Sequence, residues 1–238
     1  SGDARARILR PLVRTLMRLA LGGKGARVIL QNLDDAALFR RARLVDEYGD
    51  PIRAKRLVAH RNYLFNFPYA GTPCFLLSLG RPAAPAEWVA GDGRRHGWDG
   101  GVGPGRAIVA FSAICAHKLA YPAREISFIR YQERESPTAR GGVIHCCAEH
   151  SIYDPAAGAK VMGGPAPQPL AAIALEYDPR TDGLVAVGTA GVEQFDAFFA
   201  KYEFKLGIDH GTGGAQRLVG ATTACREMAQ VCRQTVQC

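Results

Sequence analysis

Two short segments of the chain hold side chains suited to binding a metal: Cys115-Ala116-His117 and, thirty residues after that histidine, Cys147-Ala148-Glu149-His150. Each offers one thiolate and one imidazole. Two such loops satisfy either a tetrahedral zinc ion or a 2Fe-2S cluster with mixed ligation, so counting ligands does not choose between them. His145-Cys146-Cys147 crowds three candidate ligands together. His145 or Cys146 could therefore replace Cys147 or His150, although the C-x-x-H spacing favours Cys147 and His150. His60, His96 and His210 have no such company and read as ordinary polar residues. The seven cysteines lack the regular spacing of a disulfide scaffold, so reduced thiols are expected. Cys225, Cys232 and Cys238, if helical, are too far apart for a disulfide and read as buried thiols or partner contacts. Cys74 reads as a core residue in a strand.

The elements that must position these loops are mostly strands. A chain of 238 residues that is 47% hydrophobic can bury one ordinary core, and its many glycines and prolines favour short strands and tight turns. Asn62 to Phe67, Cys74 to Leu77 and Ala107 to Phe111 read as strands. Ala171 to Tyr177 and Leu184 to Gly188 flank Asp178-Pro179-Arg180-Thr181-Asp182-Gly183, the composition of a hairpin turn. Arg81 to Gly105 reads as a long irregular loop. Residues 7 to 20 read as a basic amphipathic helix with Leu9, Leu12, Val13, Leu16, Leu19 and Ala20 on one side and Arg7, Arg10, Arg14 and Arg18 on the other. A second short helix is expected near Asp34 to Arg43. Phe195, Phe198, Phe199 and Tyr202 lie at helical spacing, and a further helix is expected near Ala221 to Val236. The chain thus divides into an N-terminal basic extension (1–56), a β domain (57–190) and a C-terminal helical extension (191–238).

The formal charge of +8 does not spread over the whole fold. Residues 1 to 30 contribute +6 of it, and the rest is nearly balanced. A local basic segment points to an anionic membrane surface or an acidic partner, and not to a nucleic acid. No stretch has the 18 apolar residues of a spanning helix, and no export signal is visible. A cytoplasmic or peripheral membrane location is expected.

The residues after the second loop carry a more specific pattern. His150-Ser151-Ile152-Tyr153-Asp154-Pro155, then Gly158, Val161 and Gly163-Gly164-Pro165-Ala166-Pro167-Gln168-Pro169-Leu170, resemble the second cluster loop and the proline-rich covering loop of the Rieske family. Tyr177-Asp178 and Ala186-Val187-Gly188 resemble the end of that domain. The resemblance implies a mainly β fold, an antiparallel β sandwich with a cluster-binding subdomain, to which this chain adds helical extensions. It implies one 2Fe-2S cluster, with Cys115 and Cys147 on the buried iron and His117 and His150 on the outer iron. Ser151 and Tyr153 would donate hydrogen bonds to the sulfurs, and Gly164 and Pro165 would lie in the loop over the cluster.

Two departures set this chain apart. Serine directly follows His150, where the family usually has one residue between them, commonly glycine. The disulfide that joins the two loops in quinol-oxidising members would need cysteines near Ala120 and Glu149, and neither is one. The resemblance implies an electron-transfer component and not a complete enzyme, passing one electron at a time between redox partner proteins. The extensions suit a subunit of a larger complex. A quinol-oxidising subunit of a cytochrome bc-like complex and a ferredoxin component of an oxygenase system are the nearest alternatives. A complete ring-hydroxylating oxygenase fails, because fewer than 50 residues follow the β domain and His210 is their only histidine. A zinc-stabilised interaction module is the remaining class.

Overall fold

Short apolar runs broken by glycine and proline cannot sustain long helices, and the chain is built from strands accordingly. The computed structural model describes residues 40–89, 93 and 95–238, all within the unit Ala37–Cys238. The basic helix expected at 7–20, and residues 34–39 of the next expected helix, lie outside the described residues. The end of that second helix is a strand instead, β1 (Ala42–Val45). In chain order follow β2 (Tyr63–Asn66), β3 (Pro73–Ser78), β4 (Ala86–Val89), β5 (Arg95–Trp98), β6 (Ile108–Ser112), β7 (Ile126–Ser127) and β8 (Ile129–Gln132). Then come β9 (Val143–Cys146), β10 (Ser151–Asp154), β11 (Lys160–Gly163), β12 (Ala172–Asp178), β13 (Gly183–Ala190) and α1 (Gln194–His210). The chain ends with β14 (Thr222–Ala224), β15 (Arg226–Glu227), α2 (Met228–Val231) and β16 (Gln234–Thr235).

Eight described strands form one sheet in the order β14-β1-β13-β12-β6-β3-β2-β15. Its pairs are antiparallel except β1 with β14. All five residues of β6 are buried, which is why Ile108–Ser112 reads as a continuous apolar run and not as an alternation. The period of two still sorts the side chains. Phe75, Leu77, Val109 and Phe111 enter one core, while Cys74, Leu76, Ile108 and Ala110 enter the other. The first core continues to Ala113 and Cys115, and against it packs the second sheet, β11-β10-β9-β8, through Ile129, Tyr131, Ile144, Cys146 and Tyr153.

The hairpin expected at 171–188 is present as β12 and β13, its turn stapled by Asp178, whose carboxylate accepts from the Arg180 amide and the Thr181 hydroxyl. Helix α1 also forms where expected, burying Phe195, Phe198 and Phe199 against Tyr69 and Ile114. Two expectations need correction. Arg81 to Gly105 is not wholly irregular: β4 and β5 pair as a hairpin, and Trp98 packs on Phe111 with centroids 5.2 Å apart. Pro82, Pro85 and the glycines mask its short alternation of residues. Ala221 to Val236 is not one helix. Its Thr222-Thr223 stretch suits a strand, and the unpaired edges of β1 and β2 capture β14 and β15, leaving only the four residues of α2 helical. β1, β14 and β15 thereby share the sheet of the central β domain, while β16 pairs with β7.

Candidate metal centre

Strand β6 delivers the chain through Ala113 and Ile114 to the first loop. There the Cys115 carbonyl accepts from the Leu119 amide at 2.9 Å, and the Cys115 amide donates to the Ala120 carbonyl at 2.8 Å. This turn aims the amides of His117 and Lys118 at the Cys115 sulfur. Helix α1 holds the loop from outside, with Lys201 Nζ donating to the Lys118 carbonyl at 2.6 Å. The second loop closes the β9–β10 hairpin, where Cys146 stands opposite Ser151. Its turn, residues 147–150, aims the amides of Ala148 and Glu149 at the Cys146 sulfur. The turn closes with His150 at a φ of 58°, a left-handed conformation most residues avoid.

Cys115 and Cys146 are each 1% exposed and share a hydrogen bond. That interaction with Cys146, reinforced by Tyr153, holds the Cys115 thiol below its ordinary range although burial opposes it. The Tyr153 hydroxyl lies 3.3 Å from Cys115 Sγ and accepts the Ala116 amide at 3.1 Å, which leaves its own proton for the sulfur. Nearer solvent, His117 Nδ1 lies 3.5 Å from Glu149 Oε2. Lys118 Nζ pairs with Glu149 Oε1 at 2.7 Å and, with His117, holds that carboxyl below its usual range.

The structure therefore brings Cys115 and His117 into one centre but gives Cys147 and His150 other partners. Cys147 is joined to Cys238, 91 residues away, in a disulfide. This corrects the expectation of reduced thiols at those two positions; Cys225 and Cys232 remain free and buried, as does Cys74. The spacing argument, which excluded bonds among Cys225, Cys232 and Cys238, did not weigh a partner 91 residues away. His150 Nδ1 lies 3.3 Å from His145 Nε2, and Cys238 Sγ lies 3.4 Å from His145 Nδ1. His145, His150 and Cys238 make a second grouping of possible ligand atoms, all within 4.8 Å. Its sulfur is already bonded to Cys147 and offers no thiolate.

Two buried atoms here make no hydrogen bond among the described residues: Ser151 Oγ, and His117 Nδ1, which has only its 3.5 Å ion-pair contact with Glu149 Oε2. Leaving such groups unmatched costs about 1–3 kcal/mol each. A buried thiol pair, an outer nitrogen and oxygen pair, and these two unmatched atoms fit a 2Fe-2S cluster. The covering loop lies against the second loop. A Cβ on Gly164, whose φ is 80°, would fall 2.3 Å from the His150 carbonyl oxygen. Pro165 is exposed, and Ala166 packs on the first core.

No family model matches the chain. Among solved structures it is similar to the soluble domain of the Rieske protein II (soxF) from Sulfolobus acidocaldarius, with 30% identity over 63% of this chain and 78% of that one, at a TM-score of 0.45. The identity extends over more than three-quarters of that relative's length. This chain belongs to the Rieske family. Its mostly β architecture is Rieske-like, and no described helix is long and apolar enough to cross a membrane.

Proposed function

We propose that this Rieske-family chain is a one-electron carrier that holds a single 2Fe-2S cluster between residues 115–120 and 146–151. The reading is carried by the pairing of donors: two buried sulfurs, Cys115 and Cys146, lie inside a nitrogen and oxygen pair, His117 and Glu149, that reaches the surface. When bound, the cluster supplies reversible one-electron reduction at a potential above that of an all-cysteine centre. Cys115 and His117 are ligands from the first loop, and the second loop completes the set. Tyr153 donates to the Cys115 sulfur, and Ser151 donates its unmatched hydroxyl to the same centre, both favouring the reduced state. Gly164 and Pro165 cover the centre and exclude water from it. The exposed edge at His117 is where a redox partner protein docks, and the basic residues 1–30 contact an anionic membrane surface or an acidic partner. In the C-terminal extension α1 and β16 pack on the chain's own β domain.

The full chain, reconstituted anaerobically with ferrous iron and sulfide, is expected to bind both in equal amounts and to give an EPR signal on reduction. Uptake of one zinc ion without such a signal would instead favour the zinc-stabilised class. Ser151 and Tyr153 favour a second reading, quinol oxidation. A midpoint well above zero that falls with pH near neutrality supports it, whereas a pH-independent midpoint near about −150 mV supports a ferredoxin-like carrier.

A further inference from the structure

We infer that the second loop ligates through Cys146 and Glu149, so that the centre is held by three residue types: two cysteines, one histidine and one glutamate. This rests on the Rieske reading above and specifies its ligands. Four independent features carry it. First, Cys146 repeats the local geometry of Cys115: each sulfur accepts from the amides two and three residues further on, and each is 1% exposed. Second, the potential donors fall into pairs. Cys146 meets Cys115 inside, and Glu149 Oε2 meets His117 Nδ1 outside. Two ligands on each of two irons require that arrangement.

Third, the competing residues are occupied elsewhere. Cys147 is bonded to Cys238, and His150 turns to His145. Strand geometry explains the division. His145 and Cys146 are neighbours on β9 and point to opposite faces, Cys146 into the core that holds Cys115 and His145 toward Cys238. Fourth, the shift removes the apparent shortening of the loop. Counted from Cys146, Glu149 takes the place of the second outer ligand, and His150 becomes the residue before Ser151. Its φ of 58° is the left-handed conformation that glycine adopts freely.

A carboxylate carries one more negative charge than a neutral imidazole, so this ligand set lowers the reduction potential relative to two histidines. Lys118 on Glu149 Oε1 offsets part of that charge. The Cys147–Cys238 bridge then ties the second loop to the C-terminus in place of a bridge between the two loops.

The test uses the full chain, reconstituted with ferrous iron and sulfide, with ¹⁵N-histidine incorporated and pulsed EPR recorded on the reduced form. One coordinated histidine nitrogen is expected, and two would overturn the inference. A chain that takes up no iron fails the Rieske reading itself. Glu149→His should introduce a second coordinated nitrogen and raise the midpoint potential; an unchanged midpoint and a single nitrogen would count against ligation by Glu149. Cys146→Ser should lose iron with its circular dichroism preserved, while Cys147→Ser keeps it. Loss of iron from Cys147→Ser but not from Cys238→Ser would identify Cys147 as the ligand and overturn the assignment.

Discussion

Tyr153 is wholly buried, and its hydroxyl lies between the Ala116 amide and the Cys115 sulfur. Tyr153→Phe keeps the packing and removes the donor, so the midpoint should fall. A difference on the order of 1 kcal/mol between redox states corresponds to about 40 mV for one electron. An unchanged midpoint would deny the hydroxyl any role at the sulfur. Gly164→Ala should cost about 2 kcal/mol or more, since the new Cβ has no room beside the His150 carbonyl and the backbone is left-handed. Urea unfolding of the two chains gives that difference directly. At this scale the sequence was partly legible. The contact of Tyr153 with Cys115 was readable from the resemblance after the second loop, and Ser151 shares its strand. That Cys146 meets Cys115 while Cys147 bonds Cys238 was not, because Cys146 ends β9 facing the core and Cys147 begins the turn, a division that only the fold and the distant Cys238 make visible. The contact of Glu149 with His117 was hidden too, since it joins two loops 32 residues apart.

The first loop has little structure of its own and depends on α1. Phe198 is fully buried in the cluster that contains Ile114, and its ring meets Tyr121 at 5.1 Å. Phe198→Ala should cost about 3–5 kcal/mol and loosen residues 114–121 before the rest of the sheet. Amide exchange at Cys115 and Leu119 that rises no faster than at Phe75 would sink this dependence. The second loop depends on the C-terminal tail. β16 runs parallel to β7, and the Val236 amide donates to the Ser127 carbonyl at 2.9 Å. Beyond it, Cys238 is bonded to Cys147. Cys238→Ser should lower stability under non-reducing conditions by about 2–5 kcal/mol. An equal unfolding midpoint with and without reductant in the unaltered chain would contradict that contribution. Helix α1 and the β12–β13 hairpin were legible because their patterns are local: aromatic residues on one face, and Asp178 with Gly183 around a turn. The 221–236 segment was not, since its conformation comes from distant sheet edges that composition does not record.

Across the molecule, both sheets meet in one core that ends at Cys115 and Cys146, so the interior of the fold delivers the sulfurs while the loops deliver the outer pair. The segment after Gly191 completes this scaffold through α1 and β16. Residues 1–30 carry +6 of the formal charge, and binding to anionic vesicles or an acidic protein through them should weaken steeply between low and physiological salt. Salt-independent binding would place the contact elsewhere. The central claim is that the molecule is a Rieske-type electron carrier, and the most direct test is an anaerobic redox titration of the reconstituted full chain followed by EPR. A single one-electron transition is expected, with a midpoint above the roughly −400 mV of an all-cysteine 2Fe-2S centre and with histidine nitrogen coupled to the reduced spin. A colourless protein without an EPR signal, or a cluster with no coupled histidine nitrogen, would contradict it.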